Sequence, residues 1–217
     1  MATRWDTKET ADTLVRIVQT RFLVSAPSAP HFPSTGSVEF TFVGRSNVGK
    51  SSLLNALCGA RIARTSGTPG RTQLVNFFEV QGTGTTWRLV DLPGYGFARA
   101  PRSVVAGFEA IVSSYLESER PRDVGLLLVD ARRGAQQDDL DVFALLEHHG
   151  VQPWVVVTKA DKLTKAQRKP TRAAVARAFG VEEASVWMTS TTLKLGIAEL
   201  RKALVDRAQA WSTARSA

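Results

Sequence analysis

Residues 44–51 read Gly44-Arg45-Ser46-Asn47-Val48-Gly49-Lys50-Ser51. The segment Val38-Glu39-Phe40-Thr41-Phe42-Val43, which reads as a strand, precedes them, and Leu53, Leu54 and Leu57 follow at helical spacing. A strand, a glycine-bounded turn and a helix in that order constrain the chain strongly. The turn's backbone N–H groups converge on one point, and the helix aims its N-terminus at the same point. An anion fits there, and the spacing is that of a phosphate cradle. Lys50 can reach the outer phosphates, and the Ser51 hydroxyl can ligate Mg²⁺. Gly44, Arg45, Ser46, Asn47, Val48, Gly49, Lys50, Ser51 and Ser52 are therefore candidate nucleotide contacts, with Lys50 also a catalytic candidate.

The rest of the chain repeats the alternation. Apolar strand candidates fall at 74–80, 86–90, 124–129, 154–157 and 186–188. Helical patterns fall at 50–57, 104–116, 138–149, 165–179 and 197–211. The continuous run Val124–Val129 suits a strand buried on both faces of a parallel sheet. The expected fold is a three-layer α/β sandwich of the P-loop NTPase kind. Its sheet is mostly parallel, with about six strands, one antiparallel edge strand supplied by a hairpin near residue 83, and helices on both faces. Residues 37–217 read as one domain. Residues 1–36 read as a lead-in: Leu14, Ile17, Val18 and Phe22 suggest a short amphipathic helix, followed by a proline-broken extended connector.

Three further segments complete the candidate site. Asp91-Leu92-Pro93-Gly94 follows the apolar pair Leu89-Val90, about 40 residues after the loop. An Asp at a strand's end can hold the Mg²⁺ hydration shell, and the Gly94 N–H can sense a γ-phosphate. Gly94 is thus a second catalytic candidate. Thr158-Lys159-Ala160-Asp161 follows another buried strand. A carboxylate at Asp161 can accept from guanine N1–H and its exocyclic amine, a pair adenine lacks. Lys159 can lay its stem along the base. Asp161 read alone could equally cap the next helix. Thr189-Ser190-Thr191 lies where loop backbone could touch the base O6. Between the first helix and the second strand, Thr65, Thr68 and Thr72 are all placed to join Mg²⁺ when a γ-phosphate orders that loop.

These segments together resemble the Era and MnmE group of P-loop GTPases. Gly44–Asn55, Thr68-Pro69-Gly70-Arg71-Thr72-Gln73, Asp91–Gly96 and Thr158–Asp161 resemble most closely the EngB family, over roughly residues 20 to 205. The resemblance implies a bacterial GTPase that assists large ribosomal subunit assembly and is linked to cell division and septation. It implies Ser51 and Thr72 as Mg²⁺ ligands and adds Gly70, Arg71, Gln73 and Leu74 to the nucleotide contacts. It also makes Asn47 a catalytic candidate, because an asparagine there matches relatives that seat K⁺ beside the phosphates. Tyr95 stands where many GTPases carry a water-orienting glutamine, so slow intrinsic hydrolysis is expected.

Charge and cysteine content bound the setting. The 217 residues carry a net charge of +8 and a pI near 10.1. That surplus suits a polyanionic partner, RNA or DNA first, and the resemblance implies rRNA or a large-subunit precursor. Basic residues gather at Arg99 and Arg102, at Arg132-Arg133, and at Lys162, Lys165, Arg168, Lys169 and Arg172. The single Cys58 permits no disulfide within the chain and is expected to be a buried thiol. No apolar run approaches membrane-spanning length and no signal-peptide core opens the chain, so a cytoplasmic protein without membrane insertion is expected. Nothing in the sequence demands an oligomer. The alternatives are a nucleotide-gated RNA-binding protein with negligible turnover and a P-loop ATPase or kinase.

Overall fold

The computed structural model describes residues 17–63, 74–96 and 102–216. A seven-stranded sheet holds the order β1-β3-β4-β2-β5-β6-β7. The strands are β1 (Ile17–Ala26), β2 (Glu39–Gly44), β3 (Val75–Gly82), β4 (Thr85–Asp91), β5 (Arg122–Asp130), β6 (Gln152–Thr158) and β7 (Trp187–Met188). The helices are α1 (Lys50–Cys58), α2 (Arg102–Glu117), α3 (Gln137–His148), α4 (Lys165–Phe179) and α5 (Ile197–Ser216). From β4 through β7 every pairing is parallel. β3 alone runs against the others, as the hairpin at Thr83-Gly84 requires.

Two apolar layers flank the sheet. On one face Tyr115 and Leu116 of α2, Leu146 of α3 and Val175 and Phe179 of α4 pack on Val43, Val90, Leu127 and Val157. On the other, Leu53, Leu54 and Leu57 of α1 and Leu200 and Leu204 of α5 pack on Phe40, Phe42, Leu126 and Val156. Side chains alternate along each strand, so β2 and β5 feed both layers, and their polar residues are Glu39 and Thr41 on β2 and Arg122, Asp123 and Asp130 at the two ends of β5. Crossovers between parallel strands put all the βα loops at one edge of the sheet, its C-terminal edge, where ligands of open α/β sheets sit.

The expected helix at the start is corrected. Over the described residues 17–22 the chain is strand, and β1 pairs antiparallel with β3. Val18 and Phe22, placed by periodicity on a buried helical face, are 70% and 52% exposed. The free edge of β3 recruits this segment, and long-range pairing overrides a short 3.6-residue pattern. The sheet gains its seventh strand this way.

The lead-in is also pinned by a buried charge at the far end of the sheet. Glu39 is fully buried. Arg120 reaches its carboxylate at 2.6 and 2.9 Å, and the Tyr115 hydroxyl donates at 3.0 Å. Arg120 also donates to the Pro33 carbonyl at 2.9 Å and lies over the Phe32 and Phe77 rings.

Candidate nucleotide-binding site

The Gly44–Ser51 loop leaves β2 and enters α1 at the C-terminal edge. Gly49 takes φ +110°, a left-handed region costly for a side-chain-bearing residue. That turn starts α1 at once, with Leu53 N–H donating to Gly49 O at 2.9 Å. Asn47 also takes a positive φ, 62°, which asparagine tolerates better than most residues. Behind the loop, the Thr158 hydroxyl donates to Val48 O at 2.7 Å. The loop is thereby tied to β6.

Lys50 and Asp91 meet. The Lys50 ammonium bonds the Asp91 carboxylate, with both side chains nearly buried. Asn76, opposite Asp91 in the β3–β4 ladder, donates to the other carboxylate oxygen at 3.4 Å. Leu92 N–H donates to Phe42 O at 3.0 Å, holding the Asp91–Gly94 segment beside β2. Gly94 lies against the loop: a Cβ there would stand 3.1 Å from Ser46 Oγ.

On the other side, Lys159 bridges two parts. Its ammonium donates to the Asn47 carbonyl and to Asp130 Oδ2, the latter at 2.9 Å. Asp130 also takes Arg132 through Nε at 2.9 Å and Nη2 at 2.7 Å. Burial opposes ionisation of Asp130, but these two cations hold it well below the ordinary carboxylate range.

Asp161 sits in a single 3-10 turn, Ala160–Lys162. It is not the cap of α4. Thr164 is, through a reciprocal pair with Gln167. The Ser190 hydroxyl instead donates to Asp161 Oδ1 at 2.7 Å, lowering its pKa, and Leu193 N–H donates to Ser190 Oγ at 3.1 Å. Thr189 is buried, and its carbonyl accepts from Ala160 N–H at 3.0 Å, so the two loops are laced together.

The structure thus gathers Gly44–Ser52, Asp91–Gly94, Thr158–Asp161 and Thr189–Thr191 at one edge of the sheet. Leu74 precedes β3. Gly70, Arg71, Thr72 and Gln73, like Thr65, Thr68 and Arg99, lie outside the described residues. Three contributors were not anticipated. Asp130 ends the apolar run Leu126–Val129 at the ligand edge, and that position was the available signal. The Ser190 side chain acts as a brace where only loop backbone was expected. Asp139, bonded by the Tyr95 hydroxyl at 2.6 Å, carried no local signal. The basic group after Asp161 is partly spent within the fold. Arg168 donates to Ala160 O at 3.2 Å and Arg172 to Glu183 O at 2.7 Å.

Oxygen donors predominate at this edge. The hydroxyl of Ser51 and the carboxylate of Asp91 suit a hard divalent cation shared with phosphate oxygens. No cluster of three or more His, Cys, Asp or Glu forms an all-protein metal cage among the described residues.

The loop, the aspartate on the adjacent strand and the braced Asp161 define a P-loop GTPase. Residues 39–159 match the family model described as a 50S ribosome-binding GTPase. A probable GTP-binding protein EngB from Myxococcus xanthus is 39% identical over 89% of this chain and 96% of its own length. One from Koribacter versatilis is 45% identical over 69% and 75%. The chain belongs to the EngB family of GTP-binding proteins. Its fold is matched by a crystal structure of a probable EngB at TM-score 0.63 and 24% identity, covering 79% of this chain and 98% of that one. Era from Aquifex aeolicus bound to GDP·AlF₄⁻ matches at TM-score 0.66 and 23% identity, over 79% of this chain and 57% of Era. Family membership sets the ATPase and kinase alternative aside.

Proposed function

We propose that this GTPase is a Mg²⁺-dependent switch in large ribosomal subunit assembly, cytoplasmic and coupled through that role to division and septation. The observation that carries the nucleotide assignment is the Lys159 bridge. One side chain joins the base-recognition segment to the phosphate loop through the Asn47 carbonyl. Guanine then pairs with Asp161, Lys159 lies along the base, and the backbone of Thr189–Thr191 faces O6. The amides of Gly44–Ser52 surround the phosphates, and Gly70, Arg71, Thr72, Gln73 and Leu74 supply further nucleotide contacts. Lys50 leaves Asp91 for the outer phosphates, and Gly94 N–H faces the terminal one. Ser51 and Thr72 would hold Mg²⁺, with Asp91 ordering water around it. When bound, the ion neutralises charge developing on the transferred phosphoryl group.

The position after Gly94 offers no group to an attacking water, because Tyr95 is buried with its hydroxyl on Asp139. This favours slow intrinsic hydrolysis, and it also supports the second reading, a nucleotide-gated ribosome binder with negligible turnover. K⁺ beside the phosphates, reached through Asn47, is the proposed remedy. Equal turnover in KCl and NaCl at matched ionic strength would exclude it.

The RNA-facing surface is proposed at Arg132, Arg133, Lys162, Lys165 and Lys169, all exposed beside the base pocket. The family model's description as 50S ribosome-binding supports a large-subunit partner. The deciding experiment measures affinity and turnover with GTP and ATP, with and without large-subunit precursors, across a salt series. GTP preference, particle-stimulated turnover and salt-sensitive particle binding are expected. Salt-insensitive binding would count against the basic surface.

A further inference from the structure

Asp139 holds two unrelated partners. Its Oδ2 accepts from Gln136 N–H at 2.9 Å, capping α3. Its Oδ1 accepts from the Tyr95 hydroxyl at 2.6 Å. Asp139 is 1% exposed and Tyr95 5%. The reach-back from the third helical position to the Gln136 N–H needs one oxygen, and an exposed acidic or amide side chain there supplies it without burial. Burying the carboxylate carries a desolvation cost, and burial does push its pKa up. The buried contact with Tyr95 therefore needs a reason beyond capping.

Tyr95 directly follows Gly94, and its main chain is clipped to the phosphate loop. Ser46 N–H donates to Tyr95 O at 2.9 Å, and Tyr95 N–H donates to Gly44 O at 3.4 Å. The neighbouring Asp138 takes the Arg45 guanidinium at 2.5 Å. The first turn of α3 thus grips both the loop's second residue and the residue after Gly94.

We infer that Asp139 is a positioning residue that, through Tyr95, fixes the Gly94 N–H for a terminal phosphate and so sets the preference for triphosphate over diphosphate. This rests on the reading above that Gly94 faces that phosphate. A preorganised donor must be held to within about 0.5 Å. The loop holds residue 95 by its backbone, and the helix holds it by its hydroxyl. Without the second hold, ordering of 94–96 is charged against triphosphate binding alone, because a diphosphate makes no contact there. By reciprocity, a terminal phosphate drawing on Gly94 is felt at the first turn of α3.

The test measures dissociation constants of the full chain for GDP and a non-hydrolysable GTP analogue in Tyr95→Phe, Asp139→Ala, Asp139→Asn and the Tyr95→Phe/Asp139→Ala double variant. Tyr95→Phe is expected to weaken the analogue about fivefold to tenfold while GDP changes less than about twofold. Asp139→Ala should match it in that ratio and also lower Tm through the lost cap. The double variant should shift the ratio no further than either single change. Asp139→Asn, keeping an oxygen for the Tyr95 hydroxyl, should stay near wild type in the ratio. Equal weakening of both nucleotides, or ratio effects that add in the double variant, would overturn the positioning role. A wild-type chain that binds neither nucleotide would instead overturn the reading of the site on which it rests.

Discussion

The Ser190 hydroxyl donates to Asp161 Oδ1 at 2.7 Å across 29 residues of sequence. One carboxylate oxygen is thereby committed before any base arrives, and the group's plane is set. Ser190→Ala should weaken GTP and GDP alike, by about fivefold to tenfold, with their ratio unchanged. Calorimetric titration of both nucleotides separates this from the selective loss predicted for Tyr95→Phe. Asp161→Asn should move preference from guanine to xanthine nucleotides. Undiminished guanine binding in that variant would remove Asp161 from the base site.

Lys50 resting on Asp91 makes a prediction about metal. In Asp91→Asn the lysine is released and the site is less negative. GDP should then bind at least as tightly as to wild type in EDTA, while the gain on adding Mg²⁺ falls about tenfold or more. Fluorescent-GDP titrations with and without Mg²⁺ measure both. An undiminished Mg²⁺ gain would mean that Asp91 does not serve the ion.

Cys58, at the end of α1, is half-buried rather than fully buried. Burial pushes its thiol up from 9.0 to about 11. The native state keeps the proton above the unfolded pKa. The stabilisation is therefore full below pH 9 and is lost as pH rises from 9 to 11. Only thiolate alkylates. Iodoacetamide at pH 8 should label native Cys58 about a hundredfold more slowly than the urea-unfolded chain, and equal rates would refute the shift.

Glu39 and Arg120 form a buried pair far from the nucleotide. Arg120→Ala strands the carboxylate and should cost about 3–5 kcal/mol in urea unfolding. GDP affinity of the folded fraction should be unchanged. A loss below about 1 kcal/mol would mean that Arg88 and Tyr115 suffice to carry the charge.

What was legible in the sequence was local. Gly44–Ser51 announces itself because loop, strand and helix are contiguous, β5 and β6 follow from unbroken apolar runs, and β2 to β4 from apolar residues interleaved with polar ones. What was hidden joins distant residues. β1 becomes a strand only because β3 has an edge to offer. Ser190 braces Asp161, Asp130 anchors Lys159 and Asp139 holds Tyr95 only once crossovers stack the strand ends. Arg168 and Arg172 looked like partner-facing charge, yet each meets a carbonyl of its own chain.

One row of side chains crosses three strands near the site. Ser25 on β1 bonds Asn76 on β3, and Asn76 bonds Asp91 on β4. Trimming the gene at residue 37, where the sequence pattern invites it, would cut that row. It would also bare residues 75–82 as an open edge, a template for intermolecular pairing and aggregation. β1 instead meets solvent with two irregularities in its register, features that discourage such pairing. The preamble is the hem of the sheet, and a recombinant fragment made without it would precipitate before its chemistry could be assayed.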